Sequence, residues 1–391
     1  MNVGASSPRA VVTAVFFAFA IGLGLWAGAI PVLVRQTGTD AAGLGIALPL
    51  HAGAYIAAMA GGGQLARRIA PRRLMLAALL ANVATFAALF NAGSTLALTL
   101  ALMAVGLSAG LLDLAMNTEG TALERELGRP VLLSMHAAAS AAFAVGALAG
   151  SLLATGAGAR WCALAVGLVS LPVGVALRRL GPRAMAPVPP LAVPTRRGFG
   201  VGRGVVLLGI VLGVTIGAEM SAQMWSARFL ERQAADLAAF AGAGAAFFAG
   251  FQALIRLFGD ALRRRLGDPR VITLSLLIAA VGFGTVALSN AFALSLLGFA
   301  LVGLGTACVV PCCFALVARQ AADRAAGALG VASLVAGLIR LPTPLYLGYV
   351  AAAFSDSVAF AGVAFALLLA ALLAHRGISA GHRQEHRQAS G

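Results

Sequence analysis

Apolar runs about as long as a membrane crossing recur along the whole chain. A hydrocarbon core about 30 Å thick takes about 20 helical residues to span. Read this way, the sequence predicts twelve spans, at approximately 11–34, 41–66, 73–91, 95–118, 131–154, 161–178, 204–227, 237–258, 271–289, 291–317, 327–350 and 355–375. Twelve spans take about 240 residues, so the 391-residue chain has no room for a large soluble domain. The runs are continuous Ala, Leu, Val and Gly, without the strict alternation of a transmembrane β-barrel. Only 10% of residues are charged and 60% are hydrophobic. A water-soluble globule carries about 25% charged residues, and a disordered chain needs low hydrophobicity, so both classes are excluded. The expectation is an all-α membrane protein. The first run is expected to stay as a helix and not to be removed as a signal peptide.

The net charge of +15 comes from 28 basic residues, all Arg, against 13 acids. Nucleic-acid binding would cluster them on a soluble face, but they fall between apolar runs. With the N-terminus taken as cytoplasmic, 22 Arg fall on that side. Four (Arg35, Arg160, Arg228 and Arg232) fall on the other, and Arg256 and Arg340 lie inside spans. The positive-inside rule then places both termini in the cytoplasm of a multi-pass bacterial inner-membrane protein. The four Cys lack metal-ligand spacing, so neither a metal nor a cofactor is expected. No phosphate-binding Gly-x-x-x-x-Gly-Lys-Ser/Thr segment is present, which argues against ATP-driven transport by this chain alone.

The two halves repeat. Gly62, Leu65, Arg68, Ala70 and Arg73 map onto Gly259, Leu262, Arg265, Gly267 and Arg270 at one offset of 197 positions. A Pro-, Gly- and Arg-rich stretch lies at the midpoint. The expected organisation is an N-terminal six-helix bundle (1–177), a cytoplasmic linker (178–203), a C-terminal six-helix bundle (204–375) and a cytoplasmic tail (376–391). Duplicated bundles of this kind suit alternating access to a central site.

The repeated stretches, Gly63 to Arg73 and Arg256 to Gly267, resemble the loop motif of the major facilitator superfamily. Arg67 stands where the motif has an acid. Four further stretches resemble an uncharacterised bacterial inner-membrane branch related to fucose-type sugar permeases. They are Trp26-Ala27-Gly28-Ala29-Ile30-Pro31, Asp113-Leu114-Ala115-Met116-Asn117, Gly128-Arg129-Pro130 followed by Met135-His136, and Glu219 followed by Trp225-Ser226. The likeness covers nearly the whole chain. It implies the major facilitator fold, twelve helices in two pseudo-symmetric six-helix bundles, and a transporter more firmly than any substrate. Met224 replaces the Asp that the branch carries before its Trp-Ser pair, and His51 is an addition to the second helix.

Ionisable groups inside a bilayer are costly and mark cavities or partners. Glu219 and Arg340 lie at matching depth in the second half, by a rise of about 1.5 Å per residue. They are expected either to pair or to share a solute site, or else to snorkel at the outer interface; Gln223 lies one turn beyond Glu219. His51 and Tyr55 share one helix face near the midplane, either as a proton or solute site or as helix–helix glue. His136 is expected in the inner vestibule, either as a gate residue or as a solute contact. Trp26 and Trp225 belong either to an interfacial belt or to a face that stacks on a sugar-like ring. Arg68, Arg72, Arg73, Asp113, Asn117, Glu124, Arg129, Asp260 and Arg265 are expected at the cytoplasmic gate.

These readings define a secondary transporter for a small polar organic solute, with a sugar-like solute and proton coupling as options. Its partners would be the solute, protons and the lipid bilayer, but no nucleic acid, with the monomer as the working unit. A proton-driven exporter of amphipathic compounds is the alternative in the same fold. A membrane sensor or assembly factor is more remote, because the loops hold no signalling domain. No nucleophile–base constellation points to an enzyme.

Overall fold

Local capping chemistry sets where the helices begin and end. Helix α1 (Pro8–Thr37) starts at Ser7, whose side chain accepts from the Ala10 N–H, and stops at Gly38 in the left-handed region at φ 66°. Asp40 accepts from the Gly43 N–H at the start of α2 (Ala41–Leu65). Ser94 opens α4 (Thr95–Leu127) in the same manner, and Gly128 at φ 61° closes it. An exposed side-chain acceptor for an otherwise orphaned N–H favours the start, and glycine tolerates the left-handed stop. In this computed structural model the residues described are 7–65, 68–128, 131–181, 202–321 and 325–389.

The other helices of the first half are α3 (Pro71–Phe90), α5 (Leu132–Ala157) and α6 (Arg160–Arg179). The second half has α7 (Arg203–Gln233), a 3-10 helix (Ala235–Phe240), α8 (Ala243–Leu266) and α9 (Asp268–Leu288). It continues through α10 (Phe292–Thr306), α11 (Val309–Gln320), α12 (Ala325–Arg340), α13 (Thr343–Ala353) and α14 (Asp356–Ala389). No strand occurs among the described residues. Eleven helical stretches there are long and apolar enough to cross a membrane, and Ala243–Gly259 is a shorter apolar helix. The fold is all-α, with the twelve apolar segments that the sequence predicts.

Two expected spans are interrupted. The run 291–317 is α10 and α11, and the run 327–350 is α12 and α13. Proline explains both breaks. Pro311 has no N–H for the carbonyl four residues back, and Pro342 biases Leu341 away from helical geometry. The expected span 237–258 opens as a 3-10 helix before α8 begins. The last helix runs beyond 375 to Ala389, so the stretch expected as a tail continues it.

The chain divides into two compact units, Met1–Pro189 with Ala227–Ala246, and Pro190–Ser226 with Phe247–Gly391. Within the first, α1 and α5 meet backbone to backbone. A Cβ on Gly28 would stand 2.0 Å from the Ala147 carbonyl oxygen, and one on Gly150 would stand 2.2 Å from that of Leu25. Small residues give membrane helices their attraction by letting backbones approach this closely. The same surface of α5 receives the segment after α7. Gly242 also abuts the Ala147 carbonyl, and the Ser151 hydroxyl donates to the carbonyl oxygens of Ala238 and Ala239. Within the second unit, α7 turns Gly209, Gly213 and Gly217 towards Val335, Ile339 and Thr343.

Candidate functional site

In the first unit, glycines on α4 draw α2 against it. A Cβ on Gly106 would meet the His51 carbonyl oxygen at 2.4 Å, and one on Gly110 would meet that of Tyr55 at 2.4 Å. This approach puts two side chains of α2 within reach of α4. His51 Nδ1 lies 2.9 Å from the Leu102 carbonyl oxygen; a carbonyl only accepts, so Nδ1 carries the hydrogen. The Tyr55 hydroxyl donates to Asp113 Oδ2 at 2.7 Å.

The chain of contacts continues from Asp113. Asn117 Nδ2 donates to Asp113 Oδ1 at 2.8 Å and to the Asp113 carbonyl at 2.9 Å. The amide NH2 being spent there, Asn117 Oδ1 accepts from His136 Nε2 at 3.0 Å. Phe16 of α1 sets its ring edge-to-face on His136, with centroids 5.0 Å apart. Thus Tyr55 and His136, expected as solute or coupling residues, join Asp113 and Asn117, expected at the gate. One polar ladder runs through α2, α4 and α5.

The second unit has a different arrangement. Gln252 Nε2 on α8 donates to Glu219 Oε1 at 2.7 Å and to Thr306 Oγ1 at 3.3 Å. Thr306 is the last residue of α10, at the helix break. Arg256, one turn along α8, lies within electrostatic reach of the Glu219 carboxylate. A Cβ on Gly303 would meet the Phe248 carbonyl at 2.1 Å, so here too a glycine brings two helices together. Arg340, expected beside Glu219, ends α12 just before its break. Gln223 is half-buried one turn from Glu219.

Trp26 and Trp225 are both buried, which takes these two out of an interfacial belt. Trp26 is 2% exposed and packs against the His51 ring at 5.0 Å. Trp225 and Ser226 are fully buried, and Trp225 Nε1 and Ser226 Oγ have no hydrogen-bond partner.

The gate candidates separate by role. Arg72 Nε bonds the fully buried Glu119 at 2.8 Å, and Arg72 Nη1 donates to the Leu180 carbonyl. Glu124 accepts from the backbone N–H groups of Val131 and Leu132, so it caps the start of α5. Arg68, Arg73 and Arg265 are exposed. Arg129 and the Asp260 side chain lie outside the described residues, as do linker positions 182–201. In the second unit Asp268 takes Arg263 at 2.8 Å and Arg319 at 2.5 Å. Arg35 of α1 pairs with Glu231 near the end of α7.

Sequence reasoning missed Gln252 and Thr306. The one available signal was the repeat itself: Gly106 and Gly303 are 197 positions apart, and so are Tyr55 and Gln252. The two nodes occupy one position of the duplicated framework.

An all-α chain of twelve apolar segments with buried ionic groups has the architecture of a polytopic membrane protein. The comparisons narrow it further. No protein-family model matches. Over 375 residues the chain is 29% identical to an uncharacterised MFS-type transporter of Yersinia pestis, covering 91% of this chain and 92% of that protein. It is 26% identical to the uncharacterised transporter y4wD of Sinorhizobium fredii, covering 94% and 97%. The crystal structure of the nucleoside transporter NupG superposes with a TM-score of 0.75 at 13% identity, covering 94% of this chain and 99% of that one. The chain has the fold seen in major facilitator transporters and is similar in sequence to proteins described as MFS-type transporters. These relatives do not single out the fucose-type branch.

Proposed function

We propose that the chain is a secondary active transporter that carries a small polar organic solute across the bacterial inner membrane by alternating access, driven by protons. The observation that carries this reading is the ladder Tyr55–Asp113–Asn117–His136 inside an apolar bundle. Such groups cost several kcal/mol in hydrocarbon unless they are joined or line a path. Four in series support a solute or ion route over a purely structural contact. In this reading 1–177 and 204–375 are the two moving bundles, 178–203 is the cytoplasmic linker, both termini are cytoplasmic, and the monomer is the working unit.

The test is a ligand-stabilisation screen of the purified protein at pH 6 and pH 8, using sugars, nucleosides, organic acids, amino acids and amphipathic drugs. One polar class should raise the melting temperature, with a pH-dependent response. Stabilisation by amphipathic compounds alone would replace the proposal with the exporter.

A further inference from the structure

We propose that His51 Nε2 is a fixed hydrogen-bond acceptor that takes a hydroxyl or amide N–H from an uncharged solute; this rests on the transporter reading above. The imidazole is held in one tautomer. Nδ1 gives its hydrogen to the Leu102 carbonyl at 2.9 Å, so in the neutral ring Nε2 keeps the lone pair. Trp26 braces the ring edge-to-face from α1, with centroids 5.0 Å apart. The backbone is pinned too, because Gly106 of α4 abuts the His51 carbonyl. An acceptor held this firmly loses little freedom when a donor arrives.

Nε2 itself has no partner among the described residues, since the single hydrogen bond of the ring is the one at Nδ1. His51 is half-buried, and its accessible side is the inward side of α2. At about 3.6 residues per turn, the exposed apolar residues Ile46, Leu50 and Ile56 fall on the opposite face of the helix. Tyr55 shares the inward face and is spent on Asp113.

The repeat shows that the helix contact does not need an imidazole. Phe248 stands 197 positions after His51. It is fully buried, and its carbonyl meets Gly303 as that of His51 meets Gly106. The same close approach therefore forms around an apolar ring in the second half. A polar ring in a membrane bundle is more costly than a phenyl ring, so the nitrogen that packing leaves unused is assigned to recognition.

The lone pair also sets the solute class. It attracts O–H and N–H groups, whereas carboxylate and phosphate oxygens bring no hydrogen and are repelled. The contacts of the ring, Leu102 and Trp26, hold no acid to balance an ammonium group. Asp113, one turn away, already receives the Tyr55 hydroxyl and the Asn117 amide. Polyhydroxylated neutral solutes fit this acceptor; anions and amines do not.

The experiment has one arm without solute and one with it. The full chain, labelled with 15N-histidine in lipid nanodiscs at pH 7.5, is read by NMR, with the His51 signals assigned by their loss in His51→Phe. Nδ1 should resonate as a protonated nitrogen and Nε2 as a bare one; the reverse tautomer overturns the proposal. The probes are then myo-inositol, D-glucose and uridine, set against glucuronate, uridine monophosphate and glucosamine. An uncharged probe should shift the Nε2 signal and should bind about tenfold more weakly to His51→Phe. A monodeoxy analogue lacking the bonded hydroxyl should lose the same factor in the wild type and nothing further in His51→Phe. His51→Gln, which offers an amide oxygen, should recover part of the loss. Equal binding to wild type and His51→Phe, or an Nε2 signal that stays still as a probe binds, overturns the acceptor role. The second measurement uses the wild type, so it holds even where His51→Phe fails to fold. Binding of the charged probes alone overturns the class and leaves the transporter reading standing. Binding of amphipathic compounds alone, or of no probe, overturns the class and the polar-solute reading together.

Discussion

Tyr55 and Gln252 occupy one position of a duplicated framework and do different work. Each follows a glycine-mediated approach, of α2 to α4 at Gly106 and of α8 to α10 at Gly303. Each donates to one membrane carboxylate. Tyr55 reaches Asp113 on the fourth helix of its half, whereas Gln252 reaches Glu219 on the first helix of the other. Beyond the first carboxylate lies a histidine; near the second lie a permanently charged arginine and a broken helix. Duplication fixed where the side chain projects, and the neighbouring helices decided the chemistry. The contrast extends to the ionic clusters at the helix ends. Arg72 and Glu119 form a pair 12% and 0% exposed, while Arg319 at Asp268 is 56% exposed.

That last contrast predicts the largest effect. Arg72→Ala removes an ion-pair partner of a fully buried carboxylate and should cost about 3–5 kcal/mol, or block folding. Arg319→Ala leaves Asp268 with Arg263 and removes a half-exposed partner, so the loss should stay below about 1 kcal/mol. Thermal unfolding of both variants in one detergent measures the difference. Equal losses would mean that the two halves are braced alike.

The next effect tests the two nodes. Tyr55→Phe removes one of the two side-chain donors on Asp113 and keeps the ring, so it should cost about 1–2 kcal/mol. Gln252→Leu takes the amide from Glu219 and from Thr306 together and should cost about 2–3 kcal/mol. Combining Tyr55→Phe with Asp113→Asn should show coupling, whereas combining it with Glu219→Gln should be additive. Coupling across the second combination would break the separation of the nodes.

Much of this architecture was legible in the sequence, and the reason is physical. Charges are so costly in apolar runs that Asp113, Glu219, Arg256 and Arg340 stand out without any structure. Helix rise converts sequence position into depth, which is why Glu219 and Arg340 could be matched in height. Depth carries no information about which neighbour a face meets, so the Gln252 contact was not visible. Gln252 lies in an Ala/Phe-rich run with no local signature. The gate assignment of Asp113 and Asn117 had the same origin, since both lie near a helix end, yet Asn117 points to His136. Pro311 and Pro342 were readable as breaks but were passed over, because membrane helices tolerate proline.

The smallest effect concerns Ser226, whose repeat counterpart 197 positions earlier is Ala29. Ser226 is fully buried and its hydroxyl has no partner. An unsatisfied buried hydroxyl costs about 1–3 kcal/mol, while deleting one oxygen leaves little empty space. Ser226→Ala copies the residue of the first half and should stabilise the protein by about 1 kcal/mol, seen as a melting temperature raised by about 1–3 °C. A lower melting temperature would mean that the hydroxyl is already satisfied by an ordered water, removing this asymmetry between the halves. If stability rises while binding of the solute found in the screen weakens, the orphaned hydroxyl is a solute donor held ready at a cost. The second half would then take part in solute recognition.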